Sequence, residues 1–154
     1  MRFSTYAVLF LSLFAATFAQ AQADRPAERE MLRLLQEKML AANAHDTDRF
    51  LALFVHDETL VFVINGQVIR GFDSLHELQL KWWNQGKSDV VYSEQAPPEF
   101  LWLDRKTVLV TEQLASRRTS PDGRPSEGKF AVTGVWRHSR EGWRVIYAHE
   151  SSMR

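Results

Sequence analysis

His149 lies near the end of the apolar run Trp143–Glu150, where regular strand alternation places Trp143, Val145, Tyr147 and His149 on one face. An imidazole ordinarily titrates near neutrality, so in a pocket it donates, accepts or exchanges a proton. Bonded to a neighbouring strand or helix, the same ring is only structural. Glu112 sits in mid-strand between Thr111 and Gln113, where a carboxylate needs either solvent or a partner. Facing inward with His149, the two make a base and its orienter; facing outward, Glu112 belongs to the rim of an interface. Strand parity decides between these, and periodicity leaves that parity open. Trp82, Trp83 and Tyr92 are spaced to form an aromatic mouth for an apolar or ring-bearing ligand. Their alternative, shared by Trp143 and Tyr147, is to fill the core and the helix–sheet seam.

Other constellations carry less. His56–Asp57–Glu58 and His45–Asp46 are adjacent residues at element corners, where capping and turn roles are expected. There is no HxH, HExxH or calcium-loop spacing, so no metal site is expected. No GxSxG elbow, phosphate loop or dinucleotide fingerprint occurs, and no cofactor is expected. With no cysteine, the chain has no disulfide, thiol nucleophile or thiolate ligand.

Met1–Arg2 followed by the apolar run Tyr6–Ala19 and AQAQA at Ala19–Ala23 has the three-part plan of a secretory signal peptide. Cleavage after Ala21 or Ala23 is expected, leaving residues 24–154 as one exported domain, periplasmic or secreted. The apolar run is shorter than the roughly 20 residues of a membrane span, so no membrane association is expected after cleavage. Without Arg2 there remain 18 basic against 19 acidic side chains, and no basic cluster of the kind nucleic acid requires.

Helices come first. Asp24 and Pro26 suit a helix start, and Leu32, Leu35, Met39 and Ala42 recur at helical spacing. Asp46 or Thr47 can cap a short second helix carrying Phe50, Leu51 and Phe54. TLVFVI then gives a strand closed by the hairpin signal Asn65–Gly66, with Gln67–Arg70 returning. Ser74 and Glu77 match a capping box for a third helix with Leu75, Leu78 and Trp82 on one face, ending near Gly86.

Strands follow: Val90–Tyr92, Phe100–Leu103, Thr107–Arg118, Lys129–Arg137 and Trp143–Glu150, with turns at Pro121–Asp122–Gly123 and Glu141–Gly142. The order predicts an α+β domain with helices on one face of a curved antiparallel sheet. Neither face of the later strands is plainly polar. Phe130, Val132, Gly134 and Trp136 share one parity, and Ala131, Thr133 and Val135 the other. With helices on one face, the other is expected to meet a second copy, giving a homodimer.

ANAHDTDRFLALFVHDETLVF, the glycine hairpin with GFDSLHEL after it, and VWRHSREGWRVIYAHESS together resemble the SnoaL-like and nuclear transport factor 2-like domains, the family that includes ketosteroid isomerase. That resemblance covers nearly all of residues 24–154. It implies a cone, a strongly bent sheet around three helices with a pocket at the wide end, often dimerising through the sheet. It also matches His149 to the family's recurrent histidine near the end of the last strand. The isomerase pattern itself does not transfer: Val63 stands where its aspartate base would be and Lys38 where its tyrosine donor would be. Valine accepts no proton and lysine is no neutral phenol.

The function expected first is therefore binding of a small, largely apolar molecule by an exported homodimer. Cofactor-free acid–base catalysis with His149 and Glu112 is the alternative, and a protein-interaction module the third reading. Fold resemblance alone does not choose among them.

Overall fold

The computed structural model describes residues 26–119 and 123–152. The leader-like residues 1–23, Asp24 and the turn residues Pro121 and Asp122 lie outside them. The chain divides into two compact units, Met1–Leu35 and Gln36–Arg154. The described part of the first is helical. The first helix, α1, covers residues 26–43, and its residues 36–43 belong to the second unit together with everything that follows.

In α1 the buried positions are Met31, Leu34, Leu35, Lys38, Ala41 and Ala42, a stripe at the helical repeat. Leu32, expected on that stripe, is 43% exposed, and Lys38 holds an interior position instead. Helix α2 spans Thr47–Leu51 and is capped by Asp46, whose side chain accepts from the Arg49 N–H at 3.0 Å. The corner after it is a turn, in which Asp57 Oδ1 accepts from the Thr59 N–H at 2.8 Å.

Strands β1 (Val61–Ile64) and β2 (Gln67–Arg70) form the hairpin around Asn65–Gly66. Helix α3 (Phe72–Trp82) starts directly from Gly71, whose φ of 80° turns the chain off β2. The start lies before Ser74, so the Ser74–Glu77 capping box is not used, and Gly71 offers no side-chain cap. Leu75, Gln79 and Trp83 form its buried stripe, while Trp82 remains 39% exposed.

The remaining strands are β3 (Val91–Glu94), β4 (Glu99–Asp104), β5 (Thr107–Thr119), β6 (Pro125–Ser139) and β7 (Gly142–Ser152). They make a curved, unclosed sheet in the order β2-β1-β7-β6-β5-β3, with β4 also paired to β5. The α+β layout with helices first is as expected, but the sheet is mixed. Strand β1 pairs parallel with β7, Val63 opposite His149, because the chain from the helices enters alongside the last strand rather than as its hairpin partner.

The long ladder β5–β6–β7 is antiparallel and contains one irregularity. Val135 pairs with Tyr147 and Trp136 with Val145, leaving Ile146 as an extra residue in β7. Such a bulge bends the strand and reverses side-chain parity beyond it. On the same ladder Gly134 lets the Trp136 ring fold back over its strand, since a Cβ there would lie 3.3 Å from Trp136 Nε1.

Gly66 has a φ of 78° and open space around its Cα, so a side chain there meets only backbone strain. Gly66→Ala is expected to destabilise the domain by about 1 kcal/mol, read as a lower urea midpoint with unchanged slope; an unchanged midpoint would contradict the left-handed turn.

Candidate functional site

The inner face of the sheet is set row by row. From β5 come Val108, Val110, Glu112 and Leu114; from β6 Phe130, Val132, Gly134 and Trp136; from β7 Val145, Ala148, Glu150 and Ser152. Within the second unit these strands, α3 and the end of α1 enclose a cavity of about 460 Å3. Aromatic rings are prominent in its walls: Phe50, Phe54, Phe62, Trp82, Trp83, Tyr92, Phe130 and Trp136 all reach it.

Tyr92 is held from two sides. Asn43 at the end of α1 accepts from the Tyr92 N–H at 2.7 Å and donates to its carbonyl at 3.1 Å, as a strand neighbour would. Trp83 Nε1 donates to the Tyr92 hydroxyl at 3.0 Å. The hydroxyl thus keeps its own proton available for a ligand, and burial pushes its pKa up, only partly countered by the Trp83 bond. Phe50 meets Trp83 edge-on with ring centres 5.1 Å apart, and Phe130 meets Tyr92 edge-on at 6.2 Å.

The polar centre is an ion pair. Lys38 Nζ on α1 donates to Glu112 Oε2 on β5, and both residues are buried at 8% and 5% exposure. Each would be costly alone in this apolar surround; contact with the other offsets the loss of water. Glu150 occupies the same cross-strand row, since Glu112 pairs with Val132 and Val132 with Glu150. It is half-buried, and its carboxylate makes no hydrogen bond to a described residue. Burial pushes its carboxyl pKa up, and the nearby Lys38 charge opposes that only in part.

The structure brings Glu112, Trp82, Trp83 and Tyr92 to the cavity and leaves three expected residues off it. Trp143 is buried against Trp102 and His138, with ring centres 5.7 and 5.1 Å away. Tyr147 and His149 are exposed on the outer face of the sheet. The Ile146 bulge is the reason: Trp143 and Val145 face inward, but beyond it Ala148 and Glu150 do, so the pairing of His149 with Glu112 does not occur.

Lys38 and Glu150 are two charged cavity residues that were not among the site residues expected from the sequence. Lys38 was detectable from its position on the buried stripe of α1, four residues after Leu34 and three before Ala41. Glu150 was hidden because nothing in Trp143–Glu150 marks the extra residue. Among the described residues no three His, Asp or Glu side chains converge as a metal site would need.

A SnoaL-like domain model matches residues 32–154, and the chain belongs to that family. A nuclear transport factor 2-like superfamily protein from Salmonella enterica serovar Typhimurium is similar in structure, with a TM-score of 0.73 and 16% identity over 84% of this chain and 93% of that one. The association domain of CaMKII from C. elegans has a TM-score of 0.68 and 15% identity, covering 83% and 97%. A ketosteroid isomerase-like protein from Erwinia carotovora atroseptica has 0.62 and 18%, covering 78% and 91%. At such identities these likenesses establish the fold alone. No curated protein matches in sequence.

Removing one partner of the ion pair strands a buried charge. Glu112→Ala is expected to cost about 3–5 kcal/mol, whereas the double change Lys38→Met with Glu112→Leu should be near neutral. Urea unfolding of the single and double variants checks this; equal losses in both would mean that the pair is not buried.

Proposed function

We propose that this protein is an exported homodimer whose cavity binds a small, ring-bearing, largely apolar molecule. The observation that carries the reading is the 460 Å3 cavity, lined by aromatic rings around a small polar centre. That combination suits a ligand held by its rings and oriented by a few polar contacts. A module serving only protein contacts would be expected to have its interior filled, and the open cavity weighs against that reading.

Support for self-association comes from the outer face. Leu101, Leu109, Val135, Tyr147 and Val61 align in one cross-strand row. Leu101 and Leu103 are 58% and 57% exposed, and Tyr147 36%. An apolar row of this kind in water suits a second copy, and the fold likeness to an association domain agrees with it. Export rests on the leader-like residues 1–23.

Native mass spectrometry of protein purified from its own exported fraction tests all three parts. The expected spectrum is a dimer of chains cleaved after Ala21 or Ala23, carrying a non-covalent small molecule. An uncleaved chain would overturn export. A ligand-free protein that no ring-bearing probe stabilises against heat would overturn the binding reading. Val135→Arg should convert the dimer to monomer in light scattering; a wild-type monomer at micromolar concentration would overturn the dimer.

A further inference from the structure

The cavity's interior charges are not balanced by contacts alone. Glu112 and Glu150 flank Val132 in one row across β5, β6 and β7, so their Cα atoms are separated by two strand spacings, about 10 Å. Lys38 descends from α1 onto Glu112 and closes that pair. The Glu150 carboxylate is left facing the cavity with no hydrogen bond to a described residue. Tyr92 lies within its electrostatic reach, and the rings of Trp83 and Phe130 adjoin Tyr92.

Three kinds of ligand meet these groups differently. A neutral ring brings no counter-charge to Glu150, so burial still disfavours its ionised form and the ligand gains no charge-assisted bond there. An anion meets two carboxylates and a lysine whose charge is already engaged. An organic cation supplies the missing counter-charge to Glu150 and sets its positive end against the negative faces of the neighbouring rings. Arg118 and Lys129 also border the cavity, but both are exposed, so salt screens them and they act more on the rate of entry than on affinity.

We propose that the molecule bound in this cavity is a ring-bearing amine, its ammonium paired with Glu150 and its ring held among Trp83, Tyr92 and Phe130. The inference rests on the small-molecule reading above and gives it a ligand class. In the empty cavity burial favours the protonated carboxyl; a bound ammonium favours the ionised one. Amine affinity therefore rises with pH through the range in which Glu150 ionises. The charged and titratable groups facing it are Lys38 from α1, Glu112 and Arg118 from β5, Lys129 from β6 and Tyr92 from β3.

Calorimetric titration of the mature protein with tryptamine, indole-3-acetamide and indole-3-acetate compares one ring carrying a positive, neutral or negative group. Tryptamine is expected to bind about 10-fold or more tighter than the amide, as a charge-assisted bond implies, with the acetate weakest. Its advantage should grow as pH rises above the ordinary glutamate range, because burial moves the Glu150 ionisation upward. Glu150→Gln, which preserves shape, should bring the tryptamine-to-amide ratio close to one and remove its pH dependence. If the amide or acetate binds as well as tryptamine, or if the ratio survives Glu150→Gln, the amine assignment is overturned while the binding reading stands. If none of the three binds and the exported protein carries no small molecule, both are overturned. The wild-type order of affinities is decisive by itself, so the test does not depend on the variant's folding.

Discussion

The register of β7 against β6 governs the chemistry that the cavity contains. Strand side chains alternate, so a single extra residue exchanges every later side chain between the two faces. With Ile146 bulged, Val145, Ala148 and Glu150 all face inward, and Tyr147 and His149 face out. Regular alternation would instead have put an imidazole inside and a carboxylate outside. The difference is between an imidazole and a half-buried carboxyl on the cavity wall, set by one residue of backbone.

The second constraint is the burial of charge. Lys38 and Glu112 each occupy a position that the apolar repeat of its element assigns to the interior. Such a pair adds little net stability compared with two well-packed apolar side chains, because dehydrating the ions offsets their attraction. What it provides here is a fixed polar point among rings. The ammonium of Lys38 is oriented by Glu112 and still lowers the cost of ionising Glu150. Pre-set polarity of this kind orients a ligand without reorganisation on binding.

Much of this was legible in the residues. Asn65–Gly66 marked the hairpin and Asp46 or Thr47 the cap of α2, while parity put Phe130, Val132, Gly134 and Trp136 on one face of β6 without marking that face as the inner one. Glu112 was recognised as a carboxylate needing a partner, but its parity was open until Val108, Val110 and Leu114 were seen to share its face. The parallel pairing of β1 with β7 was not legible, because it depends on where the sheet receives the chain rather than on local pattern. The bulge was not legible either. Ile146 is an ordinary strand residue, and only pairing with β6 distinguishes it. Site residues in a curved sheet are therefore readable up to the first irregularity and uncertain in face beyond it.

The inward, desolvated placement of Glu150 is the central claim, and its carboxyl carbon reports on it directly. A 13C NMR pH titration of the folded protein is predicted to show Glu150 titrating above the ordinary glutamate range, because burial disfavours its charged form. A carboxyl that titrates like those of the exposed glutamates would contradict the account: β7 would then lack the bulge's reversal of face, and the cavity would have to be rebuilt around a different residue.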